Sequence, residues 1–211
     1  ASSTPPPDRK RNVVAPLELV ERELHRFQID LPRLQKVALA EYCDELDRWN
    51  KKINLTALSG ADLVRKLVVE PVWIARKLRL KGALVDIGSG NGSPAIPFQI
   101  VCPLSECHLV EARAKRAAFL RHMITTLNLD NIVVHRARFE DITTVLKTPD
   151  WISLRAVALS QKLIDSVKEI SGPTTTIVWI TSSNRPLLHP VLTLSVPITG
   201  TRVYLFQLDL S

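Results

Sequence analysis

The sequence predicts an α/β fold, with a mostly parallel sheet that ends in an antiparallel hairpin and is preceded by a helical extension. From residue 84 onward, short apolar runs alternate with segments of helical periodicity, as in repeated β-α-β units. Before that point, apolar residues recur only at helical spacing. The last two apolar runs, at 189–196 and 202–210, are separated by the short segment 197–201, which is typical of a hairpin. The sheet should therefore finish with an antiparallel strand.

The first part of the chain is expected to be helical after a short tail. Residues 1–14 are rich in Pro and Ser and then basic, and we expect them to be disordered. Helices are predicted at 15–27 and 31–52, where apolar residues recur three and four positions apart. A third is predicted at 63–80, and Pro71 should start, kink or split it.

The second part of the chain is expected to alternate strands with helices. Five strands are predicted, at 83–87, 106–112, 131–139, 151–157 and 175–181. Three helices are predicted between them, at 94–100, 115–129 and 161–170, and Pro103 should stop the first. We therefore divide the chain into a tail (1–14), a helical extension (15–80) and an α/β domain (81–211).

Composition narrows the class of protein. The chain has 211 residues, of which 45% are hydrophobic and 23% charged, the profile of a globular protein. No apolar run reaches the length of a membrane span, and no signal-peptide pattern opens the chain. Cys43, Cys102 and Cys107 lack metal-ligand spacing, and we expect reduced thiols in a cytoplasmic protein without a metal. The net charge of +7 is compatible with a nucleic-acid partner, and equally with a merely soluble surface.

The segment 84–94, LVDIGSGNGSP, contains three of the chain's seven glycines within five residues. It lies between a predicted strand and a predicted helix, where the backbone must turn sharply and leave room for a ligand. Only residues without a Cβ do this at low cost. Ser93 is the expected N-cap of the helix, with Pro94 as its first residue.

Three interpretations of this loop are open. It could be a glycine-rich turn without a ligand. Gly90, Gly92 and Ala95 satisfy the dinucleotide pattern G-x-G-x-x-A. The fuller pattern, Asp86-x-Gly88-x-Gly90-x-Gly92, resembles motif I of class I S-adenosylmethionine (SAM) methyltransferases, which have a Rossmann-like sheet. We favour SAM, because that motif requires an acidic residue near the cationic amino acid part of its ligand. Glu111, at the end of the second strand, would accept hydrogen bonds from ribose hydroxyls in either ligand.

Several segments together resemble one family, the bacterial 16S ribosomal RNA guanine-N7 methyltransferases, also called glucose-inhibited division protein B. The matching segments are RWNKKINLT (48–56), DIGSGNGSPAIP (86–97), KRAAFLRH (115–122), ARFEDI (137–142) and SLRAVA (153–158). The resemblance covers residues 46–158, about half of the chain. It implies a SAM-dependent transfer of a methyl group to N7 of a guanine in small-subunit rRNA.

The resemblance also implies a set of site residues. The cofactor contacts would be Asp86, Gly88, Gly90, Gly92, Ser93, Glu111, Ala112, Phe139, Glu140 and Arg155. Arg155, beside the cofactor, is the candidate catalytic residue because it could arrange cofactor and base. Guanine N7 carries a free lone pair, so no general base is needed. The basic residues expected to hold RNA phosphates are Lys51, Lys52, Arg113, Lys115, Arg116 and Arg121.

Two segments depart from the family. Where relatives carry R-H-x-x-D-S, this chain has Lys66, Val69 and Glu70 in place of His, Asp and Ser. The fifth strand is followed by TSSN (181–184) rather than a Lys-Gly pair. Alternatives therefore remain: SAM with a different acceptor, a non-catalytic RNA-binding or ribosome-assembly protein, and, least favoured, a dehydrogenase. The expected partner is rRNA or the small ribosomal subunit, without a membrane, and the expected state is a monomer.

Overall fold

The computed structural model describes residues 14–102, 104–183, 186 and 188–209. The predicted tail, at residues 1–13, and the predicted helix stop at Pro103 lie outside the described residues.

Helices form the first part of the described chain, as predicted. They are α1 (Val14–Arg26), α2 (Arg33–Asn50), α3 (Gly60–Val64) and α4 (Glu70–Leu78), with a π-helical turn (Arg65–Val69) between the last two. The single helix predicted at 63–80 is thus split, because Pro71 has no N–H to donate and lies in the first turn of α4.

Among the described residues, the remaining elements form a seven-stranded sheet, three α-helices and two short 3₁₀ helices. The strands are β1 (Ala83–Ile87), β2 (Glu106–Val110), β3 (Ile132–His135), β4 (Trp151–Arg155), β5 (Thr176–Thr181), β6 (Leu192–Ser195) and β7 (Arg202–Phe206). The α-helices are α5 (Ala95–Val101), α6 (Ala114–Thr126) and α7 (Gln161–Ile170), and the 3₁₀ helices are Phe139–Asp141 and Thr143–Val145. Every predicted element is present; β1 has the predicted bounds, and the other strands are shorter than the apolar runs that predict them.

The strand order is β3-β2-β1-β4-β5-β7-β6, and β1 to β5 pair in parallel. β7 pairs antiparallel with both β5 and β6, which confirms the predicted hairpin. However, β6 and not the antiparallel β7 forms the edge of the sheet. The residues Val203–Phe206 of β7 are buried, whereas β6 is largely exposed, so burial of apolar surface favours the inner position for β7.

Apolar side chains cover both faces of the sheet. Along β7, Val203 and Leu205 belong to one hydrophobic cluster, and Tyr204 and Phe206 belong to the other, as strand alternation requires. The first cluster also contains the buried residues of α1, α2, α4, α5 and α6, and the second contains those of α7. The N-terminal helices therefore pack on the same face as α5 and α6, in one continuous core. The division of the chain at residue 80 stays a prediction.

Tyr42 connects the helical layer to the glycine-rich segment. Its side chain is fully buried, and its hydroxyl donates a 2.9 Å hydrogen bond to the backbone carbonyl of Asn91. Burial of the hydroxyl raises the pKa of Tyr42 well above its ordinary value, so the group is a neutral donor. This bond fixes α2 against the loop between β1 and α5.

We expect Tyr42→Phe to lower the free energy of unfolding by about 1 kcal/mol, because the carbonyl of the half-buried Asn91 loses its donor. Urea denaturation would measure it. Tyr204→Phe is the matched control, since its hydroxyl makes a longer, 3.2 Å bond to the Ser183 carbonyl and should cost less. Equal unfolding free energies for wild type and Tyr42→Phe would contradict the proposed link.

Candidate functional site

The site lies at the carboxyl ends of β1, β2 and β4, where the loop 88–94 joins β1 to α5. Backbone bonds bend this loop tightly: the N–H groups of Gly88 and Ser89 both donate to the Val110 carbonyl, at 2.9 and 3.1 Å. The Ser89 hydroxyl donates to the Asp86 carbonyl at 2.9 Å. The loop is thus folded back onto β2, so that it borders the space above the sheet edge.

The glycines of the loop are required by its conformation. Gly88, Gly90 and Gly92 all have positive φ, at 71°, 50° and 88°. A Cβ on Gly88 would lie 2.9 Å from Val157 Cγ2, and one on Gly92 would lie 2.4 Å from Ile96 Cδ1. Backbone strain and lack of space therefore both favour glycine at these two positions.

The predicted N-cap role of Ser93 is wrong. Pro94 occupies the N-cap position, and no side chain caps α5. Helix α5 begins one residue later than the sequence suggests, so the Ser93 hydroxyl is buried and none of the described residues forms a hydrogen bond with it. A buried hydroxyl without a partner is costly in the free protein and available to a ligand.

Asp86 is a buried carboxylate at the end of β1, with 1% of its surface exposed. The Ser153 hydroxyl, from the paired position on β4, donates a 2.5 Å bond to Oδ1, whereas Oδ2 has no hydrogen-bond partner within the described part of the chain. Burial raises the pKa of Asp86 to about 6, against the opposing effects of Ser153, Ser89 and the Arg155 charge. Near neutral pH its unpaired oxygen suits a cationic ligand group.

Glu111 follows β2 and holds two backbone segments together. Its Oε2 accepts the N–H of Gly90 at 3.0 Å, and its Oε1 accepts the N–H of Arg113 at 2.8 Å. Each carboxylate oxygen has a second lone pair, so Glu111 can still accept hydroxyl donors from a ligand. The bonds to backbone N–H groups fix the orientation in which it would do so.

Arg155 ends β4 and is largely buried. Its Nη2 forms a 2.9 Å ion pair with Oε1 of Glu70, a side chain without solvent exposure. Its Nη1 is buried and lacks a hydrogen-bond partner among the described residues. Arg155 is thus a cation with one paired nitrogen and one that remains available.

Two neighbouring cavities open at this edge. The first, of about 340 Å³, is lined by Leu55, Gly88, Ser89, Gly90, Asn91, Ser93, Glu111, Arg113, Arg116, Arg155, Ala156 and Val157. The second, of about 260 Å³, is lined by residues that include Gly88, Ala112, Arg138, Phe139, Glu140 and Leu163. Gly88, Glu111 and Val157 border both cavities. An elongated ligand could therefore occupy both.

The structure brings most of the predicted cofactor residues together. Gly88, Gly90, Ser93, Glu111 and Arg155 line the first cavity, and Ala112, Phe139 and Glu140 line the second. Asp86 and Gly92 line neither cavity. Asp86 lies on β1 just before the loop, and Gly92 lies within the loop. Phe139 is also part of a hydrophobic cluster, so its side chain both packs in the core and forms part of the wall of the second cavity.

The predicted RNA-binding residues do not form one group. Arg113 and Arg116 line the first cavity, and Arg116 Nη2 also donates to the Asn54 carbonyl at 3.1 Å. Lys115 is exposed in the first turn of α6, and Arg121 Nη2 donates to the Val134 carbonyl at 3.4 Å.

Lys51 and Lys52 border a separate cavity of about 440 Å³, together with Glu45, Arg48 and Trp49. Acidic neighbours neutralise part of the charge there, since Asp47 pairs with Lys51 at 3.2 Å.

Sequence reasoning did not assign several residues to the site. Ser153 could have been found, because a serine inside the apolar run WISLR is unusual and needs a partner. Glu70 was noted only as a departure from the family, although it pairs with Arg155. Tyr42 gives no signal, since an aromatic side chain at helical spacing predicts a core. Leu55 lies in the family segment 48–56, but a leucine there has no chemistry that predicts a role in the site.

The described residues lack two features: a helix that could span a membrane and a cluster of metal-binding side chains. No helix among them is both long and apolar enough to cross a membrane. The described ranges also contain no group of three or more His, Cys, Asp or Glu side chains arranged to hold a metal ion.

The matching family model and the similar sequences have the same family name. The family model described as GidB, rRNA small subunit methyltransferase G, matches residues 35–185. A Wolinella succinogenes protein named ribosomal RNA small subunit methyltransferase G is 30% identical over 160 residues, 76% of this chain and 82% of that protein. A relative of the same name from Roseiflexus sp. is 38% identical over 150 residues.

The match covers less than two thirds of several relatives. It spans 63% of the Roseiflexus protein and 65% of a Geobacter sp. relative. Among solved structures, a precorrin-6y C5,15-methyltransferase from Geobacter metallireducens superimposes with a TM-score of 0.51 at 16% identity, over 66% of this chain and 89% of that one. This likeness confirms the predicted fold class, a Rossmann-like methyltransferase sheet.

The requirement for glycine at position 92 can be measured. We expect Gly92→Ala to destabilise the protein by about 2 kcal/mol or more, since left-handed backbone strain adds to the overlap with Ile96. Gly200→Ala is the matched control: its φ is also positive, at 68°, but no atom lies within 4 Å of the added Cβ. Chemical denaturation should place the control nearer to wild type, and equal losses would exclude the steric part of this explanation.

The raised pKa of Asp86 predicts a pH-dependent stability. The folded chain holds this proton at pH values where the unfolded chain has lost it, so wild type loses stability as the pH rises from about 4 to about 6. The loss, relative to Asp86→Asn, should be of the order of 3 kcal/mol and constant above that range. Denaturation of both proteins across this range measures it, and a difference independent of pH would refute it.

Proposed function

We propose, because the chain belongs to the rRNA small subunit methyltransferase G family, that it transfers a methyl group from SAM to N7 of a guanine in 16S rRNA. One structural observation carries the proposal. Three buried polar atoms, Asp86 Oδ2, Ser93 Oγ and Arg155 Nη1, lack hydrogen-bond partners among the described residues. Ser93 and Arg155 line the first cavity, and Asp86 lies on β1 two residues before Gly88, which also lines it. A negative, a neutral and a positive group are what a zwitterionic amino acid moiety requires.

The residues present fit SAM. Asp86 would accept hydrogen bonds from the ammonium group, and Arg155 with Ser93 would donate to the carboxylate. Glu111, at the border of the two cavities, would accept from the ribose hydroxyls. Phe139, Glu140 and Ala112 would enclose the adenine in the second cavity. The order of these groups along SAM matches the order of the two cavities.

The chemistry depends on positioning. SAM would supply an electrophilic methyl group, which would pass from the sulfonium sulfur to the lone pair of guanine N7 as the S–CH3 bond breaks and S-adenosylhomocysteine leaves. No side chain has to remove a proton from N7, so a site without a general base is sufficient. The residues of the chain would hold the donor: Asp86, Ser93 and Arg155 at its amino acid end, Glu111 at the ribose, and Phe139, Glu140 and Ala112 at the adenine. Restricting both reactants to one geometry accounts for most of the acceleration expected of such a site.

The RNA would approach past the N-terminus of α6. Arg113, Lys115 and Arg116 lie in or beside its first turn, which has no acidic residue. Three cations there oppose the helix dipole and cost stability, and binding of a phosphate would remove that cost. The groove with Lys51 and Lys52 extends the basic surface into the helical extension 15–80, whose Leu55 borders the first cavity together with the domain 81–211.

The partner and location follow from this substrate. We propose that the chain acts on 16S rRNA or the small ribosomal subunit in the cytoplasm. Residues of one chain line both cavities, so a monomer would contain a complete cofactor site.

A second candidate function keeps SAM and changes the acceptor. The observation that favours it is the position of Glu70, which stands where relatives carry Ser and contacts Arg155 at the cavity. A different residue in contact with Arg155 could change how an acceptor is held there, and so favour a different acceptor, such as another RNA.

The test is transfer of label from tritiated SAM to small ribosomal subunits that lack the family's N7 mark. We expect label in 7-methylguanosine, with Arg155→Lys reducing the rate at least about tenfold because lysine loses the second, fork-shaped donor. Arg76→Lys is the matched control: Arg76 also donates a hydrogen bond, to the Asp30 carbonyl at 2.7 Å, but borders neither cavity. Its rate should equal wild type.

The outcomes separate the candidates. Label in 7-methylguanosine supports the first. SAM binding by calorimetry without labelled subunits favours a different acceptor, and other RNAs should then be tested. Failure to bind SAM would contradict both candidates.

A further inference from the structure

Three separate parts of the chain meet at the Glu70 side chain. Glu70 is the first residue of α4, directly after the π-helical turn, and has no solvent exposure. Its Oε1 pairs with Arg155 at the end of β4, at 2.9 Å. Its Oε2 accepts a hydrogen bond from the hydroxyl of Thr199, in the turn between β6 and β7. Oε1 makes no hydrogen bond among the described residues, so the ion pair with Arg155 is the contact that holds it.

The hydroxyl that contacts Glu70 is itself held in place. Thr199 Oγ1 lies at hydrogen-bond distance, 2.9 Å, from the Thr201 hydroxyl, and it accepts the Thr201 N–H at 3.4 Å. The turn is closed by backbone bonds from Val196 to Thr201 and from Gly200 to Val196, both 2.9 Å. The position of Glu70 is thus fixed from its helix and from the hairpin.

Arg155 is also near Asp86. It follows Ser153 by two residues on β4, so both side chains lie on the same face of the strand, and Ser153 donates to Asp86 Oδ1. The positive charge of Arg155 stabilises the Asp86 carboxylate, whose Oδ2 has no hydrogen-bond partner among the described residues. A guanidinium released from Glu70 would be drawn toward Asp86. That contact would occupy the oxygen to which a ligand ammonium must bind, and would withdraw the cation from the ligand carboxylate.

We propose that Glu70 is a positioning residue, which holds Arg155 away from Asp86 so that both can bind the amino acid part of SAM. The inference rests on the proposed function and adds to it a residue that contacts neither cofactor nor substrate. The β6–β7 turn acts through Thr199 as the second support of the same carboxylate. Glu70 thereby keeps the Arg155 guanidinium apart from the Asp86 carboxylate, which would otherwise neutralise each other.

A buried ion pair elsewhere in the chain provides the matched control. Glu23 is also buried and pairs with an arginine, Arg65, whose Nε lies 2.7 Å from Oε2. This pair lies between α1 and the π-helical turn and lines neither site cavity. Glu23→Gln and Glu70→Gln therefore make the same chemical change in a buried carboxylate, and only the second should affect the site.

The experiment compares wild type, Glu70→Gln and Glu23→Gln by two measurements. Carboxyl NMR titration without ligand follows Asp86, whose pKa should fall in Glu70→Gln as Arg155 moves toward it, and stay unchanged in Glu23→Gln. Calorimetry with SAM should show affinity weakened roughly tenfold or more in Glu70→Gln, the amount expected for a misplaced charged hydrogen bond. Glu23→Gln should bind as wild type does.

Each outcome decides the inference. An unchanged Asp86 titration in folded Glu70→Gln, or equal effects of both variants on Asp86, would overturn it. If wild type does not bind SAM, the proposed function fails, but the Asp86 titration still judges the positioning of Arg155.

If Glu70→Gln does not fold, Thr199→Val replaces it. This variant keeps the ion pair and removes only the hydroxyl support. It should lower the pKa of Asp86 and weaken SAM binding in the same direction but by less. No change in either measurement would overturn the inference.

Discussion

Charge buried at the carboxyl edge of the sheet is the constraint on which the rest of the site depends. Asp86, Glu70, Glu111 and Arg155 are all withdrawn from water, and each would be destabilising without a partner. The surrounding elements supply those partners: Ser153 from β4, Thr199 from the hairpin turn, and backbone N–H groups from the glycine loop. Among the described residues, Asp86 Oδ2, Ser93 Oγ and Arg155 Nη1 remain at this edge without hydrogen-bond partners, and we propose that these atoms bind the ligand.

The shape of the glycine loop follows from the same constraint. For Gly88 and Ser89 to reach the Val110 carbonyl, and for Gly90 to reach Glu111, the backbone must adopt left-handed conformations in a confined space. Side chains at these positions would either strain the backbone or fill the cavities. The loop therefore has two functions. Its Gly90 N–H donates to the buried Glu111 carboxylate, and its glycines leave a space open above the sheet.

The helical extension takes part in the site as well as covering the sheet. Tyr42 fixes the loop from α2, Leu55 closes one side of the first cavity, and Glu70 pairs with Arg155 from α4. The split of the predicted third helix matters here, because the π-helical turn and Pro71 set the position at which α4 begins, and Glu70 is its first residue. A substitution in this layer can therefore reach the site without touching a ligand.

The sequence by itself determined the order and type of the elements, the glycine loop with Asp86 and Glu111, and the family. These depend on local patterns: apolar periodicity, the conformational freedom of glycine, and motifs within a few residues of one another. Only the tertiary structure decided how buried charges are paired. Ser153 lies 67 residues from Asp86, and Thr199 lies 129 residues from Glu70. It also left Ser93 uncapped and buried, because α5 begins one residue later. Such pairings depend on which strand ends meet in space, and no local pattern encodes that.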